Sequence, residues 1–325
     1  MKIFLRFKML PLLVVSMAIV LLNNCDKSPT TSEPENFGSD EAAIRTLIES
    51  DLETFHTNGL DDEGAQDTEY ELTNLSKISD QINTVRFGRK GQFRFESITI
   101  DFSGPPNGPD TLAIATVIRS FDGKFNVVEK DTSELTPEEY IIYVKDMENT
   151  IVRKAKFRRV NNTDNPMQNW RLFEVSGCEG VSDPTTIEIE TITIEAPDME
   201  PLTVTEPTEY FMNREEGIPV FAPGDTVKVF ATLNNTNNFP PEPGTTMLLH
   251  FGVDHQMRRA RKPFNDEGIY PDQVPGDGVY SGYWRANYRP GVYHAVFDAI
   301  DNGTIFDDTA PYNSLSWGII YKVQQ

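Results

Sequence analysis

The chain has 325 residues, of which 50 are acidic and 29 are basic, so its formal net charge is −21. A surface this acidic repels nucleic acid, which excludes nucleic acid as a partner and favours divalent cations or basic surfaces. Only two cysteines occur, so at most one disulfide can form, and the hydrophobic cores must be large enough to fold without a disulfide framework.

Residues 1–24 are predicted to form a cleavable signal peptide. Lys2, Arg6 and Lys8 make the start positive, and an apolar stretch follows from Met9 to Leu22. This stretch is shorter than the about 20 residues that a membrane-spanning helix needs, which is typical of the core of a signal peptide. We therefore expect export; an uncleaved anchor and a plain secretory signal are the alternatives.

The segment Leu22-Asn23-Asn24-Cys25 resembles the bacterial lipobox, although that family has Gly, Ala or Ser where this chain has Asn24. The resemblance implies that Cys25 becomes the first residue of the mature chain and carries a lipid. Residues 25–39 are polar and contain prolines, which predicts an unfolded linker between the lipid and the folded body. The expected location is the bacterial cell envelope, on the extracytoplasmic side of a membrane to which the lipid anchors the chain.

Residues 40–177 are predicted to form an α+β domain. Apolar residues recur at three- and four-residue spacing from Asp40 to Phe55, which indicates a helix with one apolar face. Asp122-Gly123 predicts a hairpin turn, and Thr136-Pro137-Glu138-Glu139 predicts the start of a short helix. Strands are predicted over residues 98–102, 112–121, 124–128, 151–160 and 170–176.

This order of elements resembles the nuclear-transport-factor-2-like, or cystatin-like, cone fold. The resemblance is most specific in the final pair of strands, which carry Lys154, Phe157 and Arg159 opposite Trp170, Leu172 and Phe173. It implies an α+β cone, with the helix packed across a curved antiparallel sheet. Related domains use the mouth of the cone as a pocket that contains an acid or base. The alternative function is therefore a surface-displayed enzyme that processes a small molecule, using Glu129 or Asp146 if either is buried.

Residues 178–184 are predicted to be a joint between domains, and residues 185–325 to form an all-β domain. The parity of the apolar residues changes near Thr191, which predicts a bulge in the first strand. Further strands are predicted over residues 227–231, 247–251, 292–299 and 315–323. The arrangement resembles an Ig-like β-sandwich of bacterial surface proteins. The predicted fold class is thus an α+β cone followed by an all-β Ig-like sandwich.

The segment NDEGIYPDQVPGDGVYSG, residues 265–282, is the most specific local feature. It resembles the D-D-G…D…G-D-G-x-Y-[ST] insertion of Ig-like domains in surface proteins, where acidic loops often hold calcium. The resemblance implies Ca²⁺ as a possible cofactor, with Asp266, Glu267, Asp272 and Asp277 as its ligands. The alternative is plain turn chemistry without an ion, because Asp and Gly both favour turns.

Other polar residues give no catalytic motif. His250 and His255 would point to opposite faces of one strand, which denies them a shared metal, and Cys178 is expected to be an inert buried thiol. Asp298, Asp301, Asp307 and Asp308 form a second acidic cluster that could join the first, although Asp-Asn-Gly at 301–303 also predicts a hairpin turn.

Several aromatic residues lie near the acidic loop in sequence, namely Tyr280, Tyr283, Trp284, Tyr288 and Tyr293. They suit either the packing of a sandwich or, if exposed, a surface that binds sugar or protein. Together these features predict a non-enzymatic, lipid-anchored protein with a binding or scaffolding role and a protein or glycan partner.

Overall fold

The computed structural model describes residues 40–56, 82–104, 111–131, 139–237, 239, 244–253 and 260–325. The predicted signal peptide, Cys25 and the linker lie outside the described residues, and so do Thr136 to Glu138. The described residues belong to one compact unit. Within the described part of the chain, no helix has the length and apolar character needed to cross a membrane.

The predicted N-terminal helix is confirmed, with one break. Helix α1 covers Asp40–Ser50 and helix α2 covers Leu52–Phe55. Asp51 separates them and caps α2, since its side chain accepts a hydrogen bond from the backbone N–H of Thr54 at 3.1 Å. Ala43, Ile44 and Ile48 of the predicted apolar face are buried and Leu47 is partly buried, whereas Leu52 is 62% exposed.

Four long antiparallel strands follow, namely β1 (Thr84–Ser103), β2 (Leu112–Asp131), β3 (Glu139–Arg159) and β4 (Trp170–Ser182). The predicted hairpin at Asp122-Gly123 is wrong, because β2 runs straight through it with partners on both sides. Gly123 lies opposite Gly91 of β1, and a Cβ at Gly123 would be 2.1 Å from the carbonyl oxygen of Lys90. Glycine is therefore needed at this position because β1 and β2 approach each other closely, and not because the chain turns.

The predicted α+β cone is also wrong. Antiparallel strands make up most of the described residues, and the helices are short, α1 being 11 residues long. Glu139, expected near the start of a helix, begins β3, a strand of 21 residues. The four-stranded region does not stand alone, because β4 continues through Cys178 to Ser182 and pairs there with the last strand of the chain. The division into domains at residues 178–184 stays a prediction.

The second half of the chain is almost entirely strand. Its elements are β5 (Ile187–Glu195), β6 (Leu202–Val204), β7 (Phe211–Asn213), β8 (Val220–Phe221), β9 (Thr226–Asn235), β10 (Thr245–Val253), β11 (Ala260–Pro263), β12 (Val279–Arg285), β13 (Gly291–Asp301), α3 (Asn302–Phe306) and β14 (Ser314–Val323). The bulge in β5 is confirmed, since its register against β9 shifts between Ile189 and Thr191. The predicted hairpin turn at 301–303 is wrong, because Asp301 ends β13 and caps α3 through the backbone N–H of Gly303.

These strands form two sheets. The larger has the order β1-β2-β3-β4-β14-β13-β10-β11, with β7 beside β4 and β8 beside β14; the smaller has the order β12-β9-β5-β6. A first core fills the space between them and includes Ile192, Trp284, Phe297, Trp317 and Tyr321. Two sheets packed on a shared apolar core are consistent with a β-sandwich.

The other face of the larger sheet covers three further cores, the smallest of which joins β4, β7 and β14 through Val175, Met212 and Ile320. In another, β1 and β2 pack against β13, α3 and the segment before β14, through residues that include Phe87, Phe125, Val296 and Tyr312. The sheet therefore coils far enough for β1 to face β13. In the third, α1 and α2 pack on β1 to β4.

Candidate functional site

The acidic loop lies between β11 and β12, and the structure brings three of its predicted ligands together. Asp266, Asp272 and Asp277 each present one carboxylate oxygen, and these atoms lie within 4.8 Å of one another. Asp272 is buried, Asp266 is half-buried and Asp277 is exposed. Glu267 is exposed and does not belong to this group. In the described part of the chain, these residues are the one group of three or more acidic, histidine or cysteine side chains close enough to share a metal ion.

Asp266 organises the end of the loop. Its Oδ1 accepts hydrogen bonds from the backbone N–H groups of Gly276 (2.9 Å) and Asp277 (3.1 Å), and its Oδ2 accepts one from Gly278 (3.1 Å). Successive N–H groups converge on one carboxylate because Gly276 and Gly278 adopt φ angles of 71° and 80°, which disfavour other residues.

Asp272 and Asp277 make fewer bonds to the backbone. Asp272 accepts from Gly268 (2.6 Å) and Val274 (3.2 Å), and Asp277 accepts from Val279 (2.9 Å). These bonds account for the shape of the loop without an ion, which is the turn chemistry that the composition predicts. Each carboxylate has about four acceptor positions, so oxygen lone pairs remain on all three groups for a cation.

The second acidic cluster is dispersed among structural roles. Asp298 is fully buried in an ion pair with Arg89. Asp301 caps α3, and Asp307 accepts a hydrogen bond from the backbone N–H of Thr309 at 2.8 Å. None of these residues belongs to the group formed by Asp266, Asp272 and Asp277.

The ion pair of Asp298 is the centre of a buried polar network that the sequence did not reveal. Arg89 bonds both carboxylate oxygens, with Nη2 2.9 Å from Oδ1, and its Nε donates to the hydroxyl of Tyr312 at 2.7 Å. His250 Nε2 lies 3.3 Å from Asp298 Oδ2. Burial alone would raise the pKa of Asp298, but Arg89 and His250 together lower it well below its usual range.

Lys145 forms a second buried polar contact on the same face of the sheet. Its ammonium group donates to the carbonyl oxygens of Gly303 (3.1 Å) and Ala310 (2.7 Å), and also to that of Asp307. Burial lowers the pKa of Lys145 to about 8, against the opposing effect of Asp307 and other nearby acids. The contact fixes the end of α3 to β3.

The two candidate acids of the predicted cone pocket, Glu129 and Asp146, both contact other side chains. Glu129 accepts hydrogen bonds from the Tyr143 hydroxyl (2.8 Å) and the backbone N–H of Asn83 (3.0 Å). The bond to Glu129 raises the pKa of Tyr143 to about 12. Asp146 is exposed and forms a surface ion pair with Lys124.

Most of the remaining histidine, cysteine and aromatic side chains near these sites are buried. His56 and His294 stack with their ring centroids 3.9 Å apart, and Cys178 is a buried free thiol. His255 lies outside the described residues. Of the aromatic residues near the acidic loop, Tyr280, Trp284 and Tyr293 belong to the first core, whereas Tyr288 is 71% exposed.

A groove of about 570 Å³ lies where α1 and α2 meet the ends of β3 and β4. Its polar wall includes Arg171 and Arg214. Arg171 pairs with Glu215 at 2.8 Å, and Arg214 pairs with Asp51 at 3.1 Å. Trp170, Leu172 and Phe173 supply its aromatic and aliphatic wall. Mixed aromatic and arginine surfaces are common where proteins bind partners.

The fold and these sites define an antiparallel all-β protein with an acidic loop. Comparison of the chain with protein families, with curated proteins and with solved structures gives no match. The resemblances to the lipobox, to Ig-like domains and to their acidic insertion therefore remain predictions.

Proposed function

We propose that this chain is an exported, lipid-anchored cell-envelope protein that binds a partner without catalysing a reaction, and that its acidic loop holds Ca²⁺. The observation that carries the calcium proposal is the convergence of Asp266, Asp272 and Asp277. Three like charges held this close repel one another, and a divalent cation would remove that repulsion. Oxygen ligands from carboxylates on a glycine-containing loop suit Ca²⁺.

The partner is a protein or a glycan. The groove beside α1 supports this role, since it combines aromatic side chains with guanidinium groups on an otherwise acidic chain. The anchor is proposed from the sequence of the first 25 residues. Intact-mass analysis of purified protein tests the anchor: residues 1–24 should be missing and Cys25 should carry a lipid. A full-length chain with an unmodified thiol would contradict it.

Thermal unfolding tests the calcium site. After treatment with a chelator, millimolar Ca²⁺ should raise the melting temperature of the parent protein. A ligand that binds only the folded state stabilises it by about 2.7 kcal/mol at 100 times its Kd. Asp277→Asn should remove most of this effect, because the variant loses a charged ligand while its side chain can still accept a hydrogen bond from Val279.

Asp146→Asn is the matched control, since Asp146 is an exposed acid on β3 and the substitution changes the net charge equally. The control should keep the full response to calcium. An unchanged melting temperature of the parent protein in millimolar Ca²⁺ would show that the loop is held by its own hydrogen bonds alone.

A further inference from the structure

Two arginines lie on the covered face of the larger sheet, between the core under α1 and the core beside β13. Val117 of β2 pairs with Arg153 of β3, and Arg119 of β2 pairs with Ile151. The two arginines are therefore diagonal neighbours on one face of the sheet. Such positions on neighbouring antiparallel strands are about 7–8 Å apart. Both line one small cavity, with Phe55, Val117, Ile151 and Cys178.

Hydrogen bonding leaves these guanidinium groups incompletely satisfied. Arg153 is 5% exposed, and its Nη1 donates to the carbonyl oxygen of Thr54. The Nε of Arg153 and the Nε of Arg119 are both buried and have no acceptor among the described residues. Arg119 instead places its guanidinium 4.0 Å from the ring centroid of Phe95.

Within the described part of the chain, no carboxylate forms an ion pair with Arg119 or Arg153. Burial and the nearby charge of Arg153 together lower the pKa of Arg119 to about 10. Burial lowers the pKa of His294 well below its usual value, and the nearby charges of His56 and Arg153 lower it in the same direction. Buried positive charge without a counter-charge is costly, which makes this region an electropositive site inside an acidic protein.

The cavity has a volume of about 10 Å³. This is close to the space that one water-sized particle requires. Its size excludes phosphate, sulfate and organic acids, and it leaves room for a monatomic anion or a water molecule. Only the anion would offset part of the positive charge of the two guanidinium groups.

We propose that the cavity between Arg119 and Arg153 binds one small monovalent anion, for which chloride is the probe. The anion would accept hydrogen bonds from the two buried Nε–H groups, and Phe55, Val117 and Ile151 would exclude bulk water. The site is separate from the acidic loop, so its test does not depend on calcium.

The test compares sodium chloride with sodium gluconate at constant ionic strength, using chelator-treated protein and thermal or urea-induced unfolding. The parent protein should gain stability in chloride with a saturable dependence on concentration, and gluconate should give no such gain. At chloride ten times above its Kd, the equilibrium constant between folded and unfolded protein should rise roughly 11-fold. Bromide should replace chloride.

Arg153→Met should abolish the difference between chloride and gluconate, since it removes one charge and its Nε–H. The matched control is Arg158→Met, which removes the same charge from an exposed position on the same strand and should keep the full difference. Arg119→Met is a second variant with the same expectation as Arg153→Met. Equal stability of the parent protein in chloride and gluconate would overturn the proposal and leave water as the occupant. A chloride response retained in both Arg153→Met and Arg119→Met would also overturn it.

Discussion

The ion pair between Arg89 and Asp298 allows the most stringent test of how the coiled sheet is held. The pair joins β1 to β13 through the core that lies between these two strands. The side chain of Arg89 is only 2% exposed and that of Asp298 is 0% exposed. Two hydrogen bonds connect guanidinium and carboxylate, and His250 and Tyr312 complete the network. Removing the charge of Asp298 would deprive the buried guanidinium of Arg89 of this ion pair.

Asp298→Asn should therefore lower the free energy of unfolding by about 3–5 kcal/mol. Urea-induced unfolding followed by tryptophan fluorescence measures this value, since Trp170, Trp284 and Trp317 are buried. Asp146→Asn is the control for the change in net charge. Its exposed pair with Lys124 should contribute no more than about 1 kcal/mol.

The same carboxylate should affect stability in acid. The pKa of Asp298 in the folded protein lies below its unfolded value of about 4. Its contribution is therefore fully present above about pH 4, and it is lost as the pH falls from there through the folded pKa. Asp298→Asn should show a shallower loss of stability in acid than the parent protein does.

A variant within about 1 kcal/mol of the parent would refute the reasoning, because it would mean that Arg89 finds another counter-charge or water. An acid dependence equal to that of the parent would refute the assignment of the low pKa to this contact. Arg89→Met combined with Asp298→Asn should cost less than the sum of the two single substitutions, since neither charge is then left alone.

Two further substitutions test contacts made by β3 and β2. Between about pH 8 and pH 10.4, Lys145 holds more protons in the unfolded protein than in the folded protein. The free energy of unfolding of the parent protein should therefore increase as the pH rises through this range. Lys145→Met should lack that increase when urea titrations at pH 7.5 and 9.5 are compared. Gly123→Ala should destabilise by about 1–3 kcal/mol, because the new methyl group would meet the carbonyl of Lys90; equal urea midpoints would show that the strands can separate at no cost.

Local patterns in the sequence predicted local structure well. The spacing of apolar residues located α1, and the change in parity near Thr191 located the bulge in β5. Convergence of Asp266, Asp272 and Asp277 followed from glycines that reverse the chain between them. In each case the cause lies within about twelve residues of its effect.

The hairpin turn expected at 301–303 failed for a local reason, since Asp301 caps α3 instead, but other wrong predictions concern partners that are distant in sequence. Asp122-Gly123 has the composition of a hairpin turn, but pairing with β1 and β3 on both sides overrides it. The cone was inferred from a helix beside a run of strands, whereas β4 pairs with β14 far along the chain. Arg89 and Asp298 are 209 residues apart, and no periodicity identifies such a pair.

The two faces of the larger sheet show why this polar network matters for the fold. The face toward the smaller sheet is almost wholly apolar. Apolar contacts are non-directional, so they favour the burial of this face but constrain the relative position of the strands only weakly. The coiled face must set β1 against β13 without backbone hydrogen bonds between them. A two-point contact between Arg89 and Asp298 satisfies that requirement, because it tolerates little sliding of one strand past the other. On this hypothesis the pair serves specificity more than stability, so an apolar replacement of both partners should keep most of the stability while allowing β1 to shift against β13.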